Sequence, residues 1–536
     1  MSFSVDSRSE WIREIPNRSF DLIIIGGGIT GAGVLLDAVT RGLSAVLIEK
    51  HDFAFGTSSR STKLIHGGLR YLKQMEFALV REVGLERAVV HALAPHLVIP
   101  EKMLLPLAEN KSMGYWLTSI GLWTYDWLAR VRGDDQRRML SRNETLRAEP
   151  LLDPKGITGG ALYSEYRTDD ARLTTEIIKT AVHHGGIAVN YAQVVRILYD
   201  DGKACGVEVE DRTTKNRLTI NGKVVVNATG PWVDTVRELD GSRNGKRLHL
   251  TKGIHIVLNR SRLPVKQAIY FEAPDGRMIF AIPRADKTYI GTTDTDYSGS
   301  IDDVRAEPNE VDYLLRAASS MFPSVELTPH DVESTWAGLR PLIHEAGKSA
   351  GELSRKDEIF EAPSGLLSIA GGKLTGYRKM AERVVDRVVE QGDFKAGPCI
   401  TGKVSVKTGF ASFREFLVFR DKMMSRFSDP MLRKAIARLC DTYGQAAETI
   451  MESASIARNP TDVQALLRSE LFYCIEEECC IRLSDFAVRR SGMMYFDATG
   501  VIREVDRLAA WMGERMGWNS QKTMEEVAEV TALMWP

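Results

Sequence analysis

An α/β fold with an added antiparallel sheet and an all-helical C-terminal domain is what this 536-residue sequence predicts, on three observations. A glycine-rich turn separates two short apolar runs near the N-terminus. Strand-like segments rich in β-branched and aromatic residues crowd residues 247–296. From about residue 396 the pattern becomes helical and mixed in charge. A chain of this length exceeds what one core supports, so two or three domains are expected.

Residues 20–50, FDLIIIGGGITGAGVLLDAVTRGLSAVLIEK, read as strand, tight turn, helix and strand, a βαβ unit. Residues 51–75 are rich in Ser, Gly and Arg and predict a loop around something polar. From about 77 to 147 the reading is mainly helical. Residues 160–240 are mixed and close on the apolar strand KVVVNATG. RLHLTKGIHIVLNR, QAIYFEAP and RMIFAIPRADKTYIGTTD predict an antiparallel sheet. From 366, LLSIAGGKLTGYRKMAERVVDRVVEQ gives a buried strand, a glycine turn and a long helix. KAGPCITG, at 395–402, marks the boundary of the helical domain.

Composition narrows the functional classes. A content of 44% hydrophobic and 26% charged residues is that of a folded chain. A formal net charge of −1 gives no whole-molecule pull toward nucleic acid or anionic lipid. The six cysteines form no CxxC pair and no zinc spacing, so no metal is expected. Cys474 and Cys479 lie far from the glycine-rich turn and read as buried thiols in a reducing compartment. The first twenty residues lack the apolar stretch of a signal peptide, and no run of eighteen apolar residues predicts a spanning helix. A cytoplasmic protein is expected.

Gly26-x-Gly28-x-x-Gly31 follows a strand and opens a helix. Gly26 permits the turn, Gly28 lets a pyrophosphate approach the backbone, and Gly31 lets helix and strand pack. The helix N-terminus presents N–H groups and a positive dipole end to phosphate. Glu49 ends the next strand, where a carboxylate accepts hydrogen bonds from ribose hydroxyls. An acid there suits FAD or NAD and disfavours a phosphorylated ribose. Thr229 and Gly230, ending an apolar strand, predict a second return to the nucleotide edge. Gly372, Leu374 and Thr375 lie where another strand meets a long helix, whose N-terminus suits the negative charge of a reduced flavin. No second GxGxxG is present, so FAD is favoured and the substrate itself must reduce it. A Rossmann-like FAD-binding domain is therefore expected.

The runs GTSSRSTKLIHGGLRYL (56–72), NATGPWVD (227–234), TKGIHIV (251–257), IGTTDTDY (290–297), WAGLRPL (336–342) and GGKLTGYRKMAE (371–382) resemble FAD-dependent glycerol-3-phosphate dehydrogenases, which belong to the D-amino-acid-oxidase-like flavoproteins. The likeness covers roughly residues 15–395, and SDFAVRRSGMMYF (484–496) resembles the family's helical domain. The resemblance implies an oxidoreductase region over 1–395, with FAD-binding segments about 18–95, 150–240 and 360–395. Substrate segments then fall at about 96–149 and 241–359, and the helical domain at 396–536.

It further implies oxidation of sn-glycerol 3-phosphate to dihydroxyacetone phosphate by hydride transfer from C2 to flavin N5. A phosphate needs fixed cations, since Arg forms bidentate bonds to its oxygens. By the resemblance Arg340 and Arg355 are the phosphate pair, and Arg70, Tyr71 and Lys373 line the pocket beside the flavin. A base must take the hydroxyl proton, and His255, His66 and Lys373 stay open as candidates. Ser58, Ser59 and Lys63 are expected at the FAD pyrophosphate or flavin edge, with FAD held non-covalently.

Family members reduce either quinone or oxygen. The oxidase type is longer, carrying an insertion this chain lacks, which favours a membrane quinone. Without a spanning helix the protein would bind the inner face of the cell membrane peripherally. Trp116, Trp123 and Trp127, followed by Arg130, Arg132, Arg137 and Arg138, form an interfacial pattern, equally compatible with packing inside a helical subdomain. The other readings are a glycerol-3-phosphate oxidase, an amine or D-amino-acid oxidase, and a non-catalytic flavoprotein. A homodimer is entertained.

Overall fold

The computed structural model describes residues 2–66, 77–109, 136–344, 357–456 and 462–535. Two sheets carry the architecture. The first has eight strands and runs Glu358–Glu361, Leu367–Ala370, Arg217–Asn227, Ser19–Ile25, Ala45–Ile48, Ile187–Val189 along its main path. Ser19–Ile25 pairs in parallel with Ala45–Ile48 on one side and with Arg217–Asn227 on the other. The chain leaves this central strand toward one edge and returns later on the opposite side. A crevice opens at the carboxyl ends of the two strands where the order reverses, the place where α/β sheets bind nucleotides.

Leu22, Ile23, Ile24 and Ile25 are all buried, as strands covered on both faces require. The helices Ile29–Thr40, Asp170–His183 and Tyr377–Gly392 pack against one another and supply much of this core. Arg217–Asn227 serves twice. Its first half pairs antiparallel with Lys203–Asp211, its second half parallel with Ser19–Ile25.

The second sheet has ten strands, with Leu248–Asn259 and Val332–Ile343 as its longest antiparallel ladder. The strands expected between 247 and 296 are present as Leu248–Asn259, Ala268–Glu272, Met278–Arg284, Lys287–Gly291 and Thr295–Asp296. The mainly helical expectation for 77–147 is corrected in part. Phe77–Leu93 is helical, but Ile99–Ala108 is a strand between Ala268–Glu272 and Ile157–Arg167, and Arg138–Ser141 is another. The apolar run Met103–Leu107 is too short for its period to separate strand from helix, and cross-strand partners decide it.

Beyond residue 412 the regular elements are helical: Phe413–Ser425, Pro430–Tyr443, Ala446–Ile456, Val463–Glu477, Ala498–Met516 and Ser520–Ala532 are the main ones. Side chains of Ser412, Asp429, Asp462 and Asn519 accept first-turn N–H groups and fix four of the starts. These helices share one apolar core with the second sheet, including Met103, Val257, Tyr289 and Trp336. Cys474 and Cys479 are buried free thiols, Cys479 pushed up to about 12 by burial.

Candidate active site

A cavity of about 410 Å³ opens at the strand-order reversal. Gly26, Gly28, Glu49, Ser58, Thr229, Gly230, Gly372, Lys373 and Leu374 all line it, so nine positions singled out from sequence converge on one space. Gly26 has φ +110°, and a Cβ there would lie 2.6 Å from the Ala228 carbonyl oxygen. A Cβ on Gly31 would run into the Gly26 carbonyl, so Gly31 acts in packing the turn and not in the cavity wall.

Gly28 starts the helix Ile29–Thr40 without a capping side chain of its own. The cap comes from another segment: Ser58 Oγ accepts the Ile29 N–H at 2.9 Å. Glu49 Oε2 accepts the Gly27 N–H at 2.7 Å and Oε1 accepts the His51 N–H at 2.7 Å. Burial pushes this carboxyl up from its ordinary range while the two N–H groups pull it down. A carboxylate has about four acceptor positions, so two ribose hydroxyls can still be served.

The rim holds residues that the sequence reading passed over. His51 stacks on Phe55 at 4.0 Å between centroids, with Trp232 beside both. Asp302, from the second half of the chain, accepts bonds from Lys50 Nζ and Trp232 Nε1 at 2.9 Å each. Burial, helped by Arg212 and Lys50, pushes His51 down to about 4. Trp232 lay within NATGPWVD and was the one sequence signal for this rim.

At the other end Gly371 and Gly372 have φ of +76° and +82°, a left-handed pair that turns the chain from Leu367–Ala370 into Leu374–Gly376 and Tyr377–Gly392. Thr375 is buried behind the wall, its hydroxyl bonded to the His66 backbone. The His66 ring stands edge-on to Phe280 at 6.4 Å.

Other expected site residues have different surroundings. Ser59 is buried off the cavity wall and its carbonyl accepts from Lys63 Nζ at 3.1 Å. Lys63 is also buried and off the cavity lining, paired with Asp170 at 2.5 Å, which in turn accepts from the lining residue Ser61. Burial would lower its pKa, and Asp170 with Asp169 more than reverses that.

His255 lies opposite Trp336 in the long ladder and stacks on it at 4.7 Å. Its Nε2 bonds Thr62 Oγ1 at 3.1 Å, and Nδ1 has no hydrogen-bond partner among the described residues. Burial, then Arg340 and Lys63, hold it well below a histidine's usual pKa, hence neutral. Arg340, four residues after Trp336 on the same sheet face, is fixed by Asp294 at 3.2 Å, the Thr293 carbonyl at 3.1 Å and Thr292 Oγ1 at 2.9 Å. Arg70, Tyr71 and Arg355 lie outside the described residues, as do Trp116, Trp123, Trp127, Arg130 and Arg132. Arg138 is exposed beside Glu144.

The geometry fits a dinucleotide: a helix N-terminus, an acid just past the end of the neighbouring strand, and a second glycine turn with a lysine on the same cavity wall. Comparison with known proteins agrees. Residues 21–378 match the family model described as FAD dependent oxidoreductase, and residues 399–523 match the C-terminal domain of alpha-glycerophosphate oxidase. The chain is 46% identical over 541 residues to an aerobic glycerol-3-phosphate dehydrogenase of Bacillus subtilis (strain 168), covering 99% of this chain and 98% of that one. It is 44% identical over 543 residues to the protein of the same name in Staphylococcus aureus (strain USA300), with 99% and 97% covered. The crystal structure of a Bacillus halodurans glycerol-3-phosphate dehydrogenase complexed with FAD aligns with TM-score 0.85 and 42% identity, covering 99% of this chain and 97% of that one. An L-alpha-glycerophosphate oxidase of Mycoplasma pneumoniae with FAD bound shares the fold at TM-score 0.57 and 19% identity, covering 72% of this chain and 98% of that one.

Proposed function

The chain belongs to the FAD-dependent oxidoreductase family, together with the aerobic glycerol-3-phosphate dehydrogenases it matches end to end, and we propose that it oxidises sn-glycerol 3-phosphate to dihydroxyacetone phosphate and delivers the electrons to a membrane quinone. It is an FAD-dependent enzyme. The observation that carries the substrate reading is the end-to-end match to those dehydrogenases, with one cavity running from Glu49 to Lys373.

The Gly26–Gly28 turn and the N-terminus of Ile29–Thr40 would hold the pyrophosphate, Glu49 the adenosine ribose, and residues 371–374 the ring end. Bound FAD supplies a hydride acceptor. The protein's own part is to hold the alcohol and take its proton. Lys373 stands on the wall at that end, where an ammonium favours loss of the C2 hydroxyl proton by stabilising the alkoxide. Arg340, with its guanidinium fixed by Asp294, and Arg355 are assigned to the phosphate. Arg70 and Tyr71 are assigned to the pocket beside the ring. His255 is assigned as base: burial keeps it unprotonated, and its Nδ1 is left without a hydrogen-bond partner among the described residues. His66, its backbone held by Thr375, is assigned to orienting the substrate.

The quinone assignment is supported by the whole-chain relatives, which are named dehydrogenases and not oxidases. No helix among the described residues is long and apolar enough to cross a membrane, so quinone access is assigned to peripheral contact at the inner face of the cell membrane. The alternative acceptor is oxygen, favoured by the oxidase named in the C-terminal family match. Mixing the yellow holoprotein anaerobically with sn-glycerol 3-phosphate and following flavin absorbance tests both. Rapid bleaching reversed quickly by a soluble quinone and slowly by air supports the proposal. Fast reoxidation by air with hydrogen peroxide formation moves the assignment to an oxidase, and no bleaching removes the substrate.

A further inference from the structure

The loop after Glu49 shapes one end of the FAD cavity without a sheet ladder to hold it. Phe55 and His51 face the cavity from this loop. The Ala54 N–H reaches the Gly27 carbonyl at 2.9 Å, and Glu49 reaches back to the Gly27 and His51 N–H groups. The glycine-rich turn and the loop therefore fix each other. A fully buried carboxylate in this loop, Asp52, ties it to the rest of the chain.

Asp52 takes its partners mainly from the far end of the sequence. Arg489 Nε donates to it at 2.6 Å, and Arg490 Nη1 and Nη2 donate at 2.8 and 2.9 Å. Asn190 Nδ2 adds a fourth bond at 3.1 Å. Both arginines are buried and sit in a wide helical turn, Asp485–Arg490, where the Ser491 N–H bonds the Phe486 carbonyl five residues back. Wide turns of this kind re-aim side chains that a regular helix would point elsewhere.

Each guanidinium is held in turn by the C-terminal region. Arg489 donates to Asp485 at 2.7 Å, and Asp485 also accepts the Tyr191 hydroxyl at 2.5 Å. Arg490 donates to the Glu478 carbonyl at 2.9 Å. The Tyr191 N–H returns to the His51 carbonyl at 2.7 Å. The Arg489 guanidinium also lies over the Phe55 ring at 5.6 Å. A carboxylate stripped of water and left without such partners would expel itself from this position and take the loop with it.

We propose that Arg489 and Arg490 are positioning residues for FAD: through Asp52 they hold the loop 49–56 against the glycine-rich turn, so that the C-terminal helical region completes the cofactor site. Neither arginine lines the cavity; each acts through Asp52 and the backbone groups it anchors.

The test compares two arginine–carboxylate pairs whose carboxylates are fully buried, Arg490 being buried as well and Arg438 about one third exposed. Arg438 also pairs with a buried glutamate, Glu470, inside the helical region, with no contact to the loop. In Arg490→Gln the FAD dissociation constant, measured by flavin fluorescence on the apoprotein, is expected to rise about tenfold or more. Amide hydrogen exchange at residues 51–56 of that apoprotein is expected to quicken. Arg438→Gln is expected to lower the thermal midpoint with FAD affinity and loop exchange unchanged. Added to Asp52→Asn, the Arg490→Gln change is expected to cost little further affinity, since both remove one linkage. If Arg490→Gln does not fold, Arg489→Lys is read in the same way, with a smaller rise. Unchanged FAD affinity and loop exchange in the Arg490 or Arg489 variant overturns the proposal, as does an equal loss of affinity in Arg438→Gln.

Discussion

The Thr375 hydroxyl clasps the backbone of His66 from both sides, accepting its N–H at 3.1 Å and donating to its carbonyl at 3.2 Å. The two residues are 309 positions apart, and the contact joins the loop after the first βαβ unit to the turn that opens Tyr377–Gly392. One buried hydroxyl thus sets where the His66 ring stands relative to Lys373, two residues before Thr375.

Replacing Thr375 by Val keeps the shape and removes both bonds, leaving the His66 N–H and carbonyl without that partner. A loss of about 1–3 kcal/mol is expected. On the proposed role of His66 in orienting the alcohol, kcat is expected to fall more than KM rises, and Thr375→Ser is expected to restore most of it. Steady-state kinetics on the three proteins decides this. A Val variant with unchanged kcat and raised KM would place His66 in uniform binding instead.

Glu49 supports a second prediction. Its two oxygens face two N–H donors, so a glutamine must turn its NH₂ toward either Gly27 or His51. Glu49→Gln is therefore expected to weaken FAD binding by about tenfold or more, through a donor-against-donor contact as well as a weaker ribose bond. Flavin fluorescence titration of the apoprotein reads the change. Equal affinity in the two proteins would mean the carboxylate is not the ribose acceptor.

The cofactor end was legible in sequence because its chemistry is local. Gly26, Gly28, Gly31 and Glu49 lie within one strand–helix–strand stretch, and each constraint is set by backbone sterics or by the end of a strand. Residues whose partners are distant in sequence were not legible. Lys63 stands beside a serine-rich loop and reads as a contact to the FAD pyrophosphate or flavin edge, while its ammonium pairs with Asp170, 107 positions on. Asp302 meets Lys50 across 252 positions, and Asp52 meets Arg490 across 438. Nothing in the local pattern around any of these acids announces the contact. The strand Ile99–Ala108 was missed for the same reason, since its pairing with Ile157–Arg167 and not its own period decides its conformation.

Lys63 gives a prediction that separates the two readings. Lys63→Met leaves Asp170 buried with bonds from Ser61 and the Ala171 N–H but no countercharge. A stability loss of about 3–5 kcal/mol is expected from breaking a buried pair on one side. FAD affinity of the folded fraction is expected to fall by less than about tenfold, because the ammonium reaches the cavity only through Asp170 and Ser61, which lines it. Chemical denaturation and FAD titration of the same sample test this. A large loss of FAD affinity with stability intact would return Lys63 to the pyrophosphate or flavin edge.

The protonation state of His255 fixes the expected pH dependence. A general base works in its unprotonated form, so the acid limb of kcat/KM follows the pKa of the free base. Burial, with Arg340 and Lys63 as nearby cations, lowers that pKa well below the ordinary 6.5 of histidine. A lowered pKa keeps the ring neutral to more acidic pH, which moves the limb down. The rate is therefore expected to stay flat through the range where an exposed histidine titrates. In His255→Gln kcat is expected to fall by about 10²–10⁴, the usual contribution of a positioned base, with the flat region retained at the lower level. A limb centred near 6.5 would remove His255 as the base. A rate that climbs through alkaline pH toward the pKa of an amine would transfer the role to Lys373, whose ammonium must first lose its proton to act as a base.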